Sequence, residues 1–280
     1  MTKSEGEAER RKLLGRASVV GAGTLASRVL GLGRDMALAA VFAREATDAF
    51  FVAFTIPNAL RQLLGEGAVS SAVVPLLTGK LATEGEDAAR AFFAKVRGVS
   101  LLALGLVTVL GVVFARPLAE LFAGGYTGAE LERTVQLTRI VFPYIFFMGT
   151  AALGMAALHA KRRFAVAAFA PGLLNVAFLL AAFLLPGPLE AHGFDRAYAI
   201  AIGALFGGLL QVLVQWPALR AIGWLDLPKI DFNDPGVRQV FARIVPMTFG
   251  IGVYYVDLIL SRRFLSELGT GSQSYFTWAS

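Results

Sequence analysis

Three arginines lie where a chain crossing a lipid bilayer should carry none: Arg28 and Arg34 in the first long apolar segment, and Arg61 in the second. At hydrocarbon depth an ionised side chain costs roughly 2.5–3.5 kcal/mol or more. A guanidinium does not shed its proton, so each must face water, a counter-ion or an anionic ligand inside the protein. Its planar fork of donors matches phosphate or carboxylate oxygens two at a time. Asp35 directly follows Arg34, while Asp48, Asn58 and Glu66 share the second segment with Arg61. The chemistry is that of holding an anion in an internal, positively charged cavity.

The elements that must position these groups are helices. On the first, at about 100° per residue, Thr24, Arg28, Gly31 and Asp35 fall on one face and Arg34 is displaced from it. Gly21, Gly23, Gly31 and Gly33 allow neighbouring helices to approach closely. On the second, Pro57 predicts a kink near Phe54, and Asp48 is placed to cap the helix start. Arg61 is too deep to reach either surface, and an internal pair with Glu66 or Asp35 is the structural alternative to ligand binding.

Composition gives the same class independently. The chain is 56% hydrophobic and 16% charged, with a mean hydropathy of +0.64, too apolar to clothe a soluble globule of this length. Apolar segments fall at 17–43, 48–78, 92–115, 134–159, 164–186, 196–219 and 240–262, with an eighth from about 272. Each reaches the roughly 20 residues that span about 30 Å of hydrocarbon. None shows the strict alternation of a barrel strand, so the expectation is an all-α polytopic membrane protein.

Lys and Arg set the orientation. Lys3 to Arg16, Lys80 to Arg97, Lys161 to Arg163 and Arg220 to Arg243 form one set of connections. Arg44, Arg116 to Arg139, Arg196 and Arg262 with Arg263 form the other. The first set is richer by about two to one, which predicts a cytoplasmic N-terminus, retained because it is too long and polar for a signal peptide. Turn chemistry marks TEGED at 83–87, GGYTG at 124–128, PGP at 186–188 and DFNDPG at 231–236. The stretch from Ile222 to Arg238 is expected along the cytoplasmic interface. A faint echo between AFFVAFTIP at 49–57 and FAVAAFAP at 164–171 hints at repeated three-helix units.

Other chemistries find little support. The net charge of +6 is spread between apolar segments, so nucleic acid is not expected as a partner. His159 and His192 are too few for a histidine-rich metal centre, and cysteine is absent. Gly79-Lys80 lacks the rest of a phosphate-binding loop, and no nucleophile elbow occurs. A membrane enzyme acting on a lipid diphosphate would need further acid, histidine or metal groups. Neither catalytic residues nor a cofactor is therefore expected.

ASRVLGLGRD at 26–35, ATDAFFVAFTIPNALRQLLGEGAVSSAVVPLL at 46–77, FPYIF at 142–146 and AFAPGLLN at 168–175 resemble the MurJ (MviN) lipid II flippases. These belong to the multidrug/oligosaccharidyl-lipid/polysaccharide exporter superfamily. The resemblance implies a helical bundle in the bacterial inner membrane that moves undecaprenyl-diphosphate-linked peptidoglycan precursor to the periplasmic leaflet by alternating access. It implies substrate-binding roles for Arg28, Arg34 and Arg61 in a cationic cavity, with Asp35, Asp48 and Glu66 as acidic partners and Ser27 and Asn58 beside them. It further implies contact with membrane lipids and with the cell-wall synthesis machinery. Asp257, inside the seventh segment, is a candidate for ion coupling, with a pair to Arg262 as its structural alternative.

The family's members have about fourteen helices, so this chain is expected to hold a first lobe and little of the second. The implied division is a cytoplasmic segment at 1–16, a six-helix transport lobe at 17–222, a linker at 223–239, and helix 7 with the start of helix 8 at 240–280. Two functional alternatives are an exporter of another polyprenyl-linked glycan and a drug or cation antiporter. A cation carrier would want acidic residues in its lumen. A purely structural scaffold would tolerate loss of all three arginines.

Overall fold

A computed structural model describes residues 21, 23, 25–62, 69–250 and 252–279. The described residues are helical throughout, with no strand. Helix α1 covers 25–41, followed by α2 (Arg44–Gln62), α3 (Val69–Thr83), α4 (Glu86–Val113), α5 (Ala115–Phe122) and α6 (Gly128–Val141). Then come α7 (Tyr144–Ala160), α8 (Ala165–Leu184), α9 (Pro186–Ala191), α10 (Tyr198–Ala221), α11 (Pro235–Gly250), α12 (Gly252–Glu267) and α13 (Ser272–Ala279). Among the described residues three stretches are long and apolar enough to cross a bilayer: Glu86–Val113, Gly128–Ala160 and Tyr198–Ala221.

The elements differ from the sequence expectation at identifiable residues. Of the apolar run expected at 48–78, α2 and α3 are described, and residues 63–68 between them lie outside the described residues. Helix α2 starts at Arg44, so Asp48 lies beyond its first turn and does not cap it. The run expected at 134–159 begins earlier, at Gly128, and breaks at Phe142–Pro143, because proline cannot donate the helical hydrogen bond. There the ladder tightens, with Ile145 and Phe146 donating to the carbonyls of Phe142 and Pro143 at 3.1 Å each. The Pro-Gly-Pro stretch read as a turn instead opens α9, with Pro186 at a position where no donor is required.

Two cores support the site. One joins α1, α2, α6, α7, α8 and α10 around Leu38, Phe50, Leu137, Tyr144 and Phe178. The other joins α3, α4, α7, α10 and α11 around Leu77, Phe93, Leu153 and Trp224. Small residues bring α10 against α8. A Cβ at Gly207 would stand 2.9 Å from the Leu174 Cα, so only glycine fits that crossing.

The connection from Gly223 to Asp234 is pinned along α4. Lys229 donates its amide to the Ala94 carbonyl at 3.0 Å, and a Cβ at Gly98 would sit 2.1 Å from the Lys229 oxygen. Trp224 is buried against Phe93, with ring centroids 5.6 Å apart, and its indole donates to Glu86 at 2.6 Å. Arg90 binds both carboxylate oxygens of Asp226. Lys95 reaches Asp231 at 2.9 Å and Asp234 at 2.8 Å, while Asp234 also caps α11 through the Gly236 and Val237 amides. Lys161 adds a bond to Glu86 at 2.6 Å. At the other end of the bundle Arg133 binds Asp195 at 2.6 Å and Arg116 binds Glu132. Each of these pairs joins residues of one set of connections, as alternation across a membrane requires.

Candidate functional site

A cavity of about 460 Å³ lies between α1, α2, α8, α12 and α13. Its walls carry the phenyl rings of Phe50, Phe54, Phe178 and Phe276, and its charged groups are Arg34, Asp257 and Arg262, joined by Asn58, Tyr254 and Thr277.

Arg34 is fixed from three sides. Its Nε and Nη2 reach Asp35 Oδ1 at 2.9 and 2.8 Å. Its Nη1 donates to Asn175 Oδ1 at 3.1 Å, and the guanidinium lies 5.5 Å from the Phe178 ring centroid. The Asn175 amide is in turn oriented by donating to the Ser27 carbonyl at 2.9 Å. Thus α1 presents Ser27, Gly31 and Arg34 towards α8, with Asp35 bonded to Arg34 beside them. Arg28 is exposed.

Arg262 is 7% exposed. Its Nη1 donates to Gln273 Oε1 at 2.9 Å and to Thr277 Oγ1 at 3.0 Å, and Gln273 returns a bond to the Arg262 carbonyl at 2.7 Å. Its Nε is buried without a partner. The alternative in which Arg262 pairs with Asp257 is not realised. Amide, hydroxyl and carbonyl oxygens hold the guanidinium, leaving its charge uncancelled by any carboxylate bond among the described residues.

The remaining expected residues divide. Asn58 and Asp257 line the cavity. Arg61 lies on α2, but its side chain, like the whole of Glu66, falls outside the described residues. Asp48 is 1% exposed and does not line the cavity. It accepts from the Ser274 amide at 2.8 Å, from the Ser274 hydroxyl and from the Gly271 amide, and so caps α13 from across the bundle. Thr47 shares a 2.7 Å bond with the same hydroxyl, and Arg44 stacks 4.7 Å from the Trp278 ring centroid. A similar clasp ties the 123–127 loop to α12, where the Gly125 amide donates to Ser266 Oγ at 3.0 Å.

Reading the sequence missed Asn175, Phe178 and the Gln273–Thr277 cradle. The signal for Asn175 was present, since it is a lone amide in an otherwise apolar run. Among the described residues no group of His, Cys, Asp and Glu is arranged to hold a metal ion.

Comparison with known proteins agrees with this architecture. The chain is 39% identical over 263 residues to the lipid II flippase MurJ of Burkholderia cenocepacia, covering 91% of this chain and 50% of that protein. It is 36% identical over 282 residues to a probable lipid II flippase MurJ of Bdellovibrio bacteriovorus, covering 97% and 52%. The chain therefore spans about half the length of these curated relatives. A solved structure described as lipid II flippase MurJ in an inward closed conformation superposes with a TM-score of 0.73 at 24% identity, over 93% of this chain and 53% of that one. That match gives the fold. The model of the lipid II flippase MurJ family matches residues 38–280, most of the chain, which accordingly belongs to the MurJ family.

Proposed function

We propose that this chain forms the substrate-binding lobe of a flippase for undecaprenyl-diphosphate-linked peptidoglycan precursor, acting in the bacterial inner membrane with its N-terminus in the cytoplasm. The observation that carries the reading is the Arg262 guanidinium: among the described residues lining the cavity, Arg34 is already paired with Asp35, while the Arg262 charge is held only by neutral oxygens. Such groups match diphosphate oxygens bidentately and supply the solvation that hydrocarbon lacks. Asp35 and Asn175 hold the Arg34 fork in one orientation, so less freedom is lost when the anion arrives. The aromatic walls suit the apolar and sugar portions of an amphiphile. A drug or cation antiporter is disfavoured because the Arg262 guanidinium, bonded to no carboxylate among the described residues, would repel its cargo.

Alternating access moves such cargo without covalent change, which makes the protein a transporter and no enzyme. Arg28, Arg61 and Glu66 belong to the same proposal as further contributors, Asp48 contributes through the α13 cavity wall that it caps, and Asp257 is the ion-coupling group. Binding of lipid II to the chain in nanodiscs tests the reading. Arg34→Ala and Arg262→Ala should each weaken it about tenfold or more, the loss expected for a charge-assisted bond. Wild-type affinity in both variants overturns it.

A further inference from the structure

Away from the Arg34 cavity, a second hollow of about 260 Å³ lies between α4, α7, α10 and the pinned linker. Its walls are mainly apolar, with Leu101, Val212 and Leu227 prominent, but Arg97 and Gln215 open into it. Arg97 is half-buried. Its Nη1 makes a 3.4 Å contact with the Trp224 carbonyl, and its Nε is buried without a partner. Asp226 lines the same hollow, yet both of its oxygens are taken by Arg90. Gln215, 1% exposed, donates its amide to the Gln211 carbonyl at 2.9 Å, which turns Oε1 away as a buried acceptor with no donor.

A half-buried guanidinium that no carboxylate bonds, at the border of an apolar slot, is costly unless an anion answers it. The level of Arg97 in the membrane says which ligand. From Gly98 to Val113 helix α4 carries no charge, a run of about 24 Å at roughly 1.5 Å per residue. Arg97 therefore stands at the edge of the hydrocarbon, where lipid phosphates lie, and Trp216 beside it is exposed as interfacial tryptophans are. The hollow is smaller than the roughly 300–1,000 Å³ of sites that enclose a drug-sized ligand, so a lipid-linked glycan does not fit. Part of one acyl chain does.

We infer that this hollow binds one anionic phospholipid: the phosphodiester on Arg97 and an acyl chain in the slot. Basic pockets between membrane helices favour such lipids. The occupant would cement the linker to α4 and α10, because the hollow is walled by all three.

The test uses the chain in nanodiscs of equimolar phosphatidylglycerol and phosphatidylcholine, released into native mass spectrometry. One phosphatidylglycerol should be retained in preference to phosphatidylcholine, and Arg97→Gln should lower that ratio about tenfold, the loss expected for a charge-assisted contact. Arg220→Gln, an exposed charge at the same end, should leave the ratio unchanged. Equal loss with Arg220→Gln, full retention with Arg97→Gln, or displacement by inorganic phosphate overturns the inference. A phosphatidylglycerol bearing a photoreactive acyl chain supplies an arm that needs no variant. Labelling of wild type at Leu101 or Val212 to Trp216 is expected, and labelling only elsewhere refutes the site. Lipid II enters neither arm, so failure here leaves the proposed function standing, and the reverse holds too.

Discussion

Asn175 is the residue on which the Arg34 geometry turns. It accepts from the guanidinium with one end of its amide and donates to the Ser27 carbonyl with the other, locking α1 to α8 at the cavity wall. Asn175→Leu keeps the volume but deletes both bonds, so Arg34 regains rotamers and must be reordered by its ligand. Lipid II affinity should then fall about tenfold while the helical content stays unchanged, since a hydrogen bond to a charged group contributes roughly 1.5–3 kcal/mol. Unchanged affinity would mean that the Asp35 pair alone orients Arg34. Asp257 makes its own prediction: Asp257→Asn should preserve lipid II binding and remove any dependence of it on sodium or pH, and a retained dependence would exclude it as the coupling group. These positions also mark how far a sequence can be read. Arg34 announces itself as a charge among apolar residues, but which side of α1 faces inward depends on Asn175, more than a hundred residues away. Helical periodicity alone placed Arg28 with Asp35 on the candidate face, and packing against α8 chose Ser27, Gly31 and Arg34, with Asp35 bonded beside them.

At the level of elements, the break at Phe142–Pro143 and the pairing of α10 with α8 were not legible in the sequence alone. Pro143 was no more decisive than Pro75 or Pro217, which lie inside helices, and the α10 glycines reveal their partner only when Leu174 and Ala181 are in place. Gly207→Leu should therefore be disruptive, costing about 1–3 kcal/mol by overpacking. By contrast, Gly105→Ala on α4, where nothing lies within 4 Å, should stabilise by up to about 1 kcal/mol through helix propensity. Thermal unfolding of the two variants in one detergent checks both signs. The short α13 depends on Asp48, which takes the place of an N-cap residue although it lies over two hundred positions earlier. Asp48→Ala leaves the Gly271 and Ser274 amides buried without an acceptor, a loss of about 1–3 kcal/mol. Amide exchange across 271–274 should accelerate, and protection equal to wild type would show that another group caps the helix.

Over the described residues, the ionic contacts other than Arg34–Asp35 gather at the two ends, and the cavity lies between them. The Gly223–Asp234 connection is the most heavily bonded of these regions. Hydrogen bonds from Arg90 hold the Asp226 carboxyl below its ordinary 3.8, and those from Lys95 do the same for Asp231. Because both values are depressed on folding, their contribution is complete above the ordinary value and is lost as pH falls through the depressed one. Exchange protection of the connection should thus be flat from neutrality to about pH 4 and collapse below it. Loss already near pH 6 would point to a different group. At the opposite pole, the buried Asp48 has a further implication. Drawing α13 off α2 would strip that carboxylate of every donor at once, and a bare anion in a dry interior is prohibitively unstable. Those donors must be replaced as the two helices part, so opening the seam and re-partnering that carboxyl are one event.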